Sequence, residues 1–167
     1  MAASMGTAIH NSLEDLCNFD FSGREDEEIG WLHSSCRETL QKRWEEERTS
    51  FSETPRHPRW KDESFSVALD GLFGAISILF DKAMLPLEEL SSVTVKTWKQ
   101  SQDIVVATEA NLESKCGRLV GRLDLLIKDL EIGTDDGLIV ADLKTGKPPE
   151  VELSEKVSRQ LLFYRDI

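Results

Sequence analysis

The sequence predicts an α/β domain in which a helical N-terminal region leads into a mixed β-sheet flanked by helices. Three observations predict it. Apolar residues recur at helical spacing through the first half, most densely at Leu69, Leu72, Phe73, Ile76, Leu79, Phe80 and Met84. After Leu90 the pattern changes to short runs rich in β-branched residues, separated by turn-forming residues. The chain also has 167 residues, 40 % of them apolar and 31 % charged, a size and composition that suit one domain with a sizeable core. We therefore expect a single domain over 1–167, mainly helical over 1–90 and carrying a sheet over 91–167.

In chain order, Ile9, Leu13 and Leu16 predict a helix over Ile9 to Cys17, with Thr7 as its cap after Gly6. His10 then falls in its first turns. A charged helix is expected from about Glu27 to Arg48, broken by the two prolines of Ser52 to Pro58. The most apolar helix should run from Phe65 to Leu85, where Pro86 ends it. Strands are expected over Val93 to Trp98, Ile104 to Leu112, Arg118 to Ile127 and Leu138 to Leu143, with a turn at Gly133–Gly137. Gly146, Pro148 and Pro149 close the last strand, and Leu153 to Tyr164 reads as a helix.

Composition narrows the function classes. No uninterrupted apolar run reaches the roughly 18 residues of a bilayer span, and Met1–Met5 lacks the basic and apolar regions of a signal peptide. An intracellular protein with no membrane partner is the expectation, whether in cytoplasm, nucleoid or nucleus. Cys17, Cys36 and Cys116 are odd in number and widely spaced, which reads as reduced thiols rather than a disulfide framework. The net charge of −11 opposes nonspecific DNA binding, which comes largely from Lys and Arg neutralising phosphates. Much of that excess sits in Glu25–Glu28 and Glu45–Glu47, read here as solvated helix faces. Lys115, Arg118, Arg122, Lys128, Lys144, Lys147, Arg159 and Arg165 supply a local basic set in the second half.

The residues that carry chemistry lie between Gly121 and Tyr164. Side chains alternate along a strand, so Asp142 and Lys144 share one face while Leu143 turns inward. Asp124 and Asp142 offer the hard oxygens that suit Mg²⁺ or Mn²⁺, and the Leu143 carbonyl adds a third. Taken singly, an Asp at a strand end is more often a cap or turn residue, and a lone Lys is a solvated one. Gln160 and Tyr164 are four apart and so share a helix face. Glu109 and Arg122 read either as outer contacts of the metal or phosphate, or as plain surface residues.

Gly6-Thr-Ala-Ile-His10-Asn-Ser-Leu-Glu14, Gly121-Arg-Leu-Asp124, Ala141-Asp-Leu-Lys-Thr-Gly-Lys147 and Gln160-Leu-Leu-Phe-Tyr164 together resemble the RecB-like branch of the PD-(D/E)XK nucleases. That branch includes recombination helicase-nuclease domains and CRISPR-associated RecB-like exonucleases. The motifs follow the family's order along almost the whole chain. The resemblance implies a restriction-endonuclease-like α/β core and a Mg²⁺- or Mn²⁺-dependent DNA exonuclease giving 5′-phosphate products. It also implies DNA as substrate, with helicases or other repair and defence proteins as partners. It assigns the metal to His10, Asp124, Asp142 and the Leu143 carbonyl, and makes Lys144 a catalytic residue. Gln160 and Tyr164 then orient that lysine and contact the substrate backbone. Without the other motifs, His10 would read as a half-buried helix histidine bonded to a carbonyl.

Two departures bear on the comparison. Domains of this kind continue past the Gln-x-x-x-Tyr helix into another strand, whereas this sequence stops at Ile167, so it is expected to be a fragment or a minimal version. Some relatives bind an iron-sulfur cluster through one early cysteine and three beyond that helix. No such trio is present here, and no cluster is expected. Two other function classes stay open on the sequence: a catalytically silent nucleic-acid-binding or docking module, and a hydrolase of RNA or nucleotides.

Overall fold

Ala8, Ile9, Ser12, Leu13, Leu16 and Cys17 make one buried stripe, which wraps a helix longer than its apolar spacing suggests. In the computed structural model, which describes residues 2–53, 59–118, 120–131, 137–144 and 158–159, this helix, α1, spans Ala2–Cys17. Thr7 is therefore not its cap. The Thr7 hydroxyl donates to the Ala3 carbonyl one turn back, at 3.2 Å, a bond open to threonine inside a helix. The chain divides into two units, Met1–Ile104 and Val105–Ile167.

In the first unit α2 spans Trp31–Ser52, four residues later at each end than the charge pattern predicts. Gly30 has φ 79°, a left-handed conformation that a helix cannot run through and that glycine adopts without penalty. Glu25–Glu28 lie in the turn before it, not on a helix face. At the far end, Thr49 and Ser52 donate their hydroxyls to the Glu45 and Thr49 carbonyls within the helix. Arg43 ties α2 to α1 through a two-pronged ion pair with Asp15, at 2.8 and 2.6 Å.

Helix α3, Phe65–Lys82, buries Ala68, Leu69, Leu72, Ala75, Ile76, Leu79 and Phe80. A Cβ on Gly71 would stand 3.2 Å from the Ile9 Cδ1 atom, so the missing side chain lets α1 and α3 approach closely. The stretch Asp62–Lys82 is long and apolar enough by composition to cross a bilayer, which the broken apolar runs of the sequence do not suggest. Its buried stripe here packs within the unit. The helix ends before Pro86 because the backbone reverses first. Met84 has φ 56°, its amide donates to the Asp81 carbonyl, and the Leu85 amide donates to the Phe80 carbonyl, each at 3.0 Å. That is the two-bond Schellman closure, with methionine where glycine is usual.

Val93 to Trp98 is not a strand. Thr94 caps a helix, α4, over Val95–Gln102, its side chain accepting the Thr97 amide at 3.1 Å. A local capping bond and helical burial of Val95, Trp98 and Ser101 outweigh the β preference of Val93, Thr94 and Val95. Trp98 is fully buried between Trp31 and Phe80, with ring centroids 6.3 and 6.0 Å away. Gln102 Nε2 donates to the Leu16 and Cys17 carbonyls, at 3.2 and 2.7 Å, and so ties α4 to the end of α1.

In the second unit, β1 (Val105–Glu113), β2 (Val120–Lys128) and β3 (Leu138–Ala141) form an antiparallel sheet in the order β1-β2-β3. Leu123, Leu125 and Ile127 are buried on one face of β2, the period-two pattern of a half-covered strand. The register pairs Thr108 with Leu125 and Ala110 with Leu123, and slips once between Val105 and Ala107. On the other side Leu125 pairs with Ala141 and Ile127 with Ile139. The expected turn at Gly133–Gly137 lies outside the described residues except for Gly137, whose carbonyl accepts the Asp129 amide at 2.8 Å. The expected helix over Leu153 to Tyr164 also lies outside them, apart from Ser158 and Arg159, which are helical.

Candidate metal centre on the sheet

Burying Leu123 and Leu125 on one face of β2 obliges Arg122 and Asp124, between and beside them, to face the other way. The register then sets their neighbours. Thr108 and Ala110 pair with Leu125 and Leu123, so Glu109 stands opposite Asp124 on the β1 side. Ala141 pairs with Leu125, so the next residue, Asp142, falls opposite Asp124 on the β3 side. Glu109 and Asp124 thus face each other across β1 and β2, and Asp142, the first residue beyond β3, completes a row of three carboxylates.

Each member of the row is held differently. Asp124 Oδ2 accepts the Leu143 backbone amide at 2.7 Å. That bond explains why β3 stops at Ala141 instead of Leu143: the amide that would extend the ladder is taken by a side chain. Glu109 Oε2 accepts from Arg122 Nε at 2.8 Å, and the glutamate side chain is only 10 % exposed against 61 % for the arginine. Asp142 Oδ2 is paired with Lys144 Nζ, the aspartate side chain 5 % exposed and the lysine 52 %. Asp142 and Lys144 therefore do share a face, as strand alternation predicts, although the strand itself has ended.

One carboxylate oxygen of Glu109 lies within 4.8 Å of one of Asp124. Two Mg²⁺–oxygen bonds laid end to end span about 4.2 Å, so a modest side-chain adjustment lets both oxygens reach one ion. Like charges directly opposite each other across a sheet are unfavourable without compensation. Among the described residues, the three carboxylates are paired with two cations, Arg122 and Lys144, which leaves one negative charge in excess. A row of hard oxygens carrying net negative charge fits a hard divalent cation.

Glu109 is the member that sequence reasoning placed only at the margin. The signal was present but indirect, since it needs the β1–β2 register: Glu109 matters because it is opposite Asp124, not because of its own neighbours. Its backbone is also unusual, with φ 48° inside a strand.

His10 is half-buried on α1, in the first unit. Leu143 is half-buried beside Asp124, engaging it through its amide. Gln160 and Tyr164 lie outside the described residues, as do Lys147 and Arg165 of the basic set. Lys115, Arg118 and Lys128 are exposed.

No curated protein and no solved structure matches the chain. The family model of the PD-(D/E)XK nuclease superfamily matches residues 1–167. The described helices and antiparallel strands are consistent with the restriction-endonuclease-like α/β fold of these metal-dependent nucleases. The full-length match and the acidic row with its adjacent lysine agree, and the chain belongs to the PD-(D/E)XK nuclease superfamily.

Proposed function

We propose that this chain is a DNA exonuclease of the RecB-like branch, working with Mg²⁺ or Mn²⁺ and leaving 5′-phosphates. The observation that carries the reading is Asp124 holding the Leu143 amide while Asp142 pairs with Lys144, which gathers the elements of both motifs on one sheet face. Asp124, Asp142 and the Leu143 carbonyl, with His10 from α1, would hold the metal. When bound, the ion polarises the scissile phosphate and lowers the pKa of a nearby water.

The chain's own groups do the rest. The Leu143 amide fixes the Asp124 carboxylate, so one rotamer is prepared before substrate arrives. Lys144, held by Asp142 but half exposed, can turn its ammonium toward the attacking water and steady the charge that builds on the phosphate. The water oxygen bonds to phosphorus in line as the bond to the 3′ oxygen breaks, and the proton the water gives up ends, through solvent, on that oxygen, which leaves as a hydroxyl. Gln160 and Tyr164 orient Lys144 and contact the DNA backbone. No iron-sulfur cluster takes part. We further propose one nuclease domain over 1–167, acting inside the cell beside helicases or other repair and defence proteins.

The test is cleavage of end-labelled single- and double-stranded DNA, with a matched RNA, in Mg²⁺, Mn²⁺ and EDTA. The expected result is metal-dependent release of nucleotides from DNA by the wild type, lost in Asp142→Ala and Lys144→Ala. A folded wild type that binds DNA without cutting it in either metal would replace this reading with a silent binding module. Cleavage confined to RNA would move the substrate class.

A further inference from the structure

Arg122 and Glu109 offer more than a surface ion pair. Arg122 sits two residues from Asp124 on the same face of β2, and Glu109 sits opposite Asp124 on β1. The guanidinium thus neutralises the carboxylate nearest to Asp124 on the β1 side. The same Glu109 carboxylate has an oxygen within 4.8 Å of Asp124, where a divalent cation would compete for it. One carboxylate cannot serve both cations fully. Arg122 has the exposure to leave, while Glu109, almost buried, does not.

We propose that Glu109 is an additional metal-ligating carboxylate and that Arg122 is its exchangeable counter-ion. Arg122 compensates Glu109 while the site lacks metal and turns to a backbone phosphate of the DNA once metal takes the carboxylate. The inference rests on the nuclease reading for its substrate but not for its metal chemistry. A guanidinium suits this double duty, because its planar fork matches carboxylate and phosphate oxygens equally well. The arrangement also makes metal and DNA binding cooperative: a loaded site frees a cation for the phosphate, and a phosphate holding Arg122 leaves Glu109 to the metal.

The experiment measures Mn²⁺ binding by calorimetry on the metal-free full chain, and duplex DNA binding by anisotropy in Ca²⁺ and in EDTA. It compares wild type with Glu109→Gln, Arg122→Ala, Arg122→Lys and the Glu109→Gln/Arg122→Ala double variant. Glu109→Gln is expected to weaken Mn²⁺ by about tenfold or more. Arg122→Ala should act in opposite directions, tightening Mn²⁺ about two- to fivefold by removing a half-exposed competitor. It should also weaken DNA by a similar factor in Ca²⁺, with a smaller loss in EDTA. Arg122→Lys should stay near wild type for Mn²⁺, and the tightening should vanish when Glu109 is already Gln. A merely structural pair would move both affinities the same way or neither. Unchanged Mn²⁺ affinity in Glu109→Gln, weaker Mn²⁺ binding in Arg122→Ala, or no Mn²⁺ binding by the wild type would each overturn the proposal. Intact Mn²⁺ coupling in a protein that cuts no DNA would remove the nuclease reading and leave this one standing.

Discussion

Lys144→Met, made alone and together with Asp142→Asn, tests whether the Asp142–Lys144 pair is built into the site or merely rests on its surface. The magnitude follows from the burial of the two partners. Breaking a fully buried ion pair costs about 3–5 kcal/mol, because the remaining charge is stranded, while exposed pairs contribute about 0–1 kcal/mol. Here the aspartate side chain is 5 % exposed and the lysine 52 %, so the cost of stranding Asp142 should fall between those limits, at about 2 kcal/mol. For a chain of this size that is a fall in Tm of about 4–8 °C. Asp142→Asn on the same background removes the stranded charge and should recover most of the loss, a coupling of about 1–2 kcal/mol. The assay is thermal unfolding followed by circular dichroism in EDTA, repeated in Mn²⁺. Manganese at a hundred times its Kd should stabilise the wild type by about 2.7 kcal/mol and the Asp142→Asn variant by much less. Additive effects of the two substitutions, within about 0.5 kcal/mol, would refute the reasoning, since Asp142 and Lys144 would then not hold each other.

Two further outcomes are expected. Met84→Gly should raise Tm by about 2–4 °C, because glycine takes the left-handed turn at the end of α3 at little cost whereas methionine at φ 56° does not; a lower Tm would show that the methionine side chain contributes packing. A thiol reagent at pH 8 should label Cys116 first in the native protein and all three cysteines in urea, as peptide mass spectrometry would show. The Ser114 hydroxyl and the Arg118 amide hold the exposed Cys116 thiol below its ordinary pKa, while burial pushes Cys17 and Cys36 up to about 12. Native labelling of Cys17 or Cys36 ahead of Cys116 would contradict that order.

Much was legible from the sequence because it depends on local periodicity. The apolar spacing of α3, the β1 and β2 strands and the placing of Asp142 and Lys144 on one face all follow from rules that span a few residues. So did the Gly-x-x-Asp and Asp-x-Lys motifs. Element ends were less legible. Thr7 looks like a cap but is an internal helix residue, and Val93 to Trp98 looks like a strand until the Thr94 cap and the buried Trp98 make it helical. In each case the hydroxyl takes the backbone partner that the surrounding helix offers, a carbonyl one turn back for Thr7 and the Thr97 amide for Thr94.

The sequence by itself determined the chemistry available: which strands carry carboxylates, which lysine accompanies them, and the superfamily to which the chain belongs. Only the tertiary structure decided which of those groups meet. Strand register brings residues 109, 124 and 142 into one row although up to 18 residues separate neighbours in the row. Register is a long-range property, set by the buried faces of three strands at once and invisible to any local window. Hence Asp124 and Asp142 could be named from motifs, while the place of Glu109 beside them and its pairing with Arg122 emerged only once the sheet was assembled.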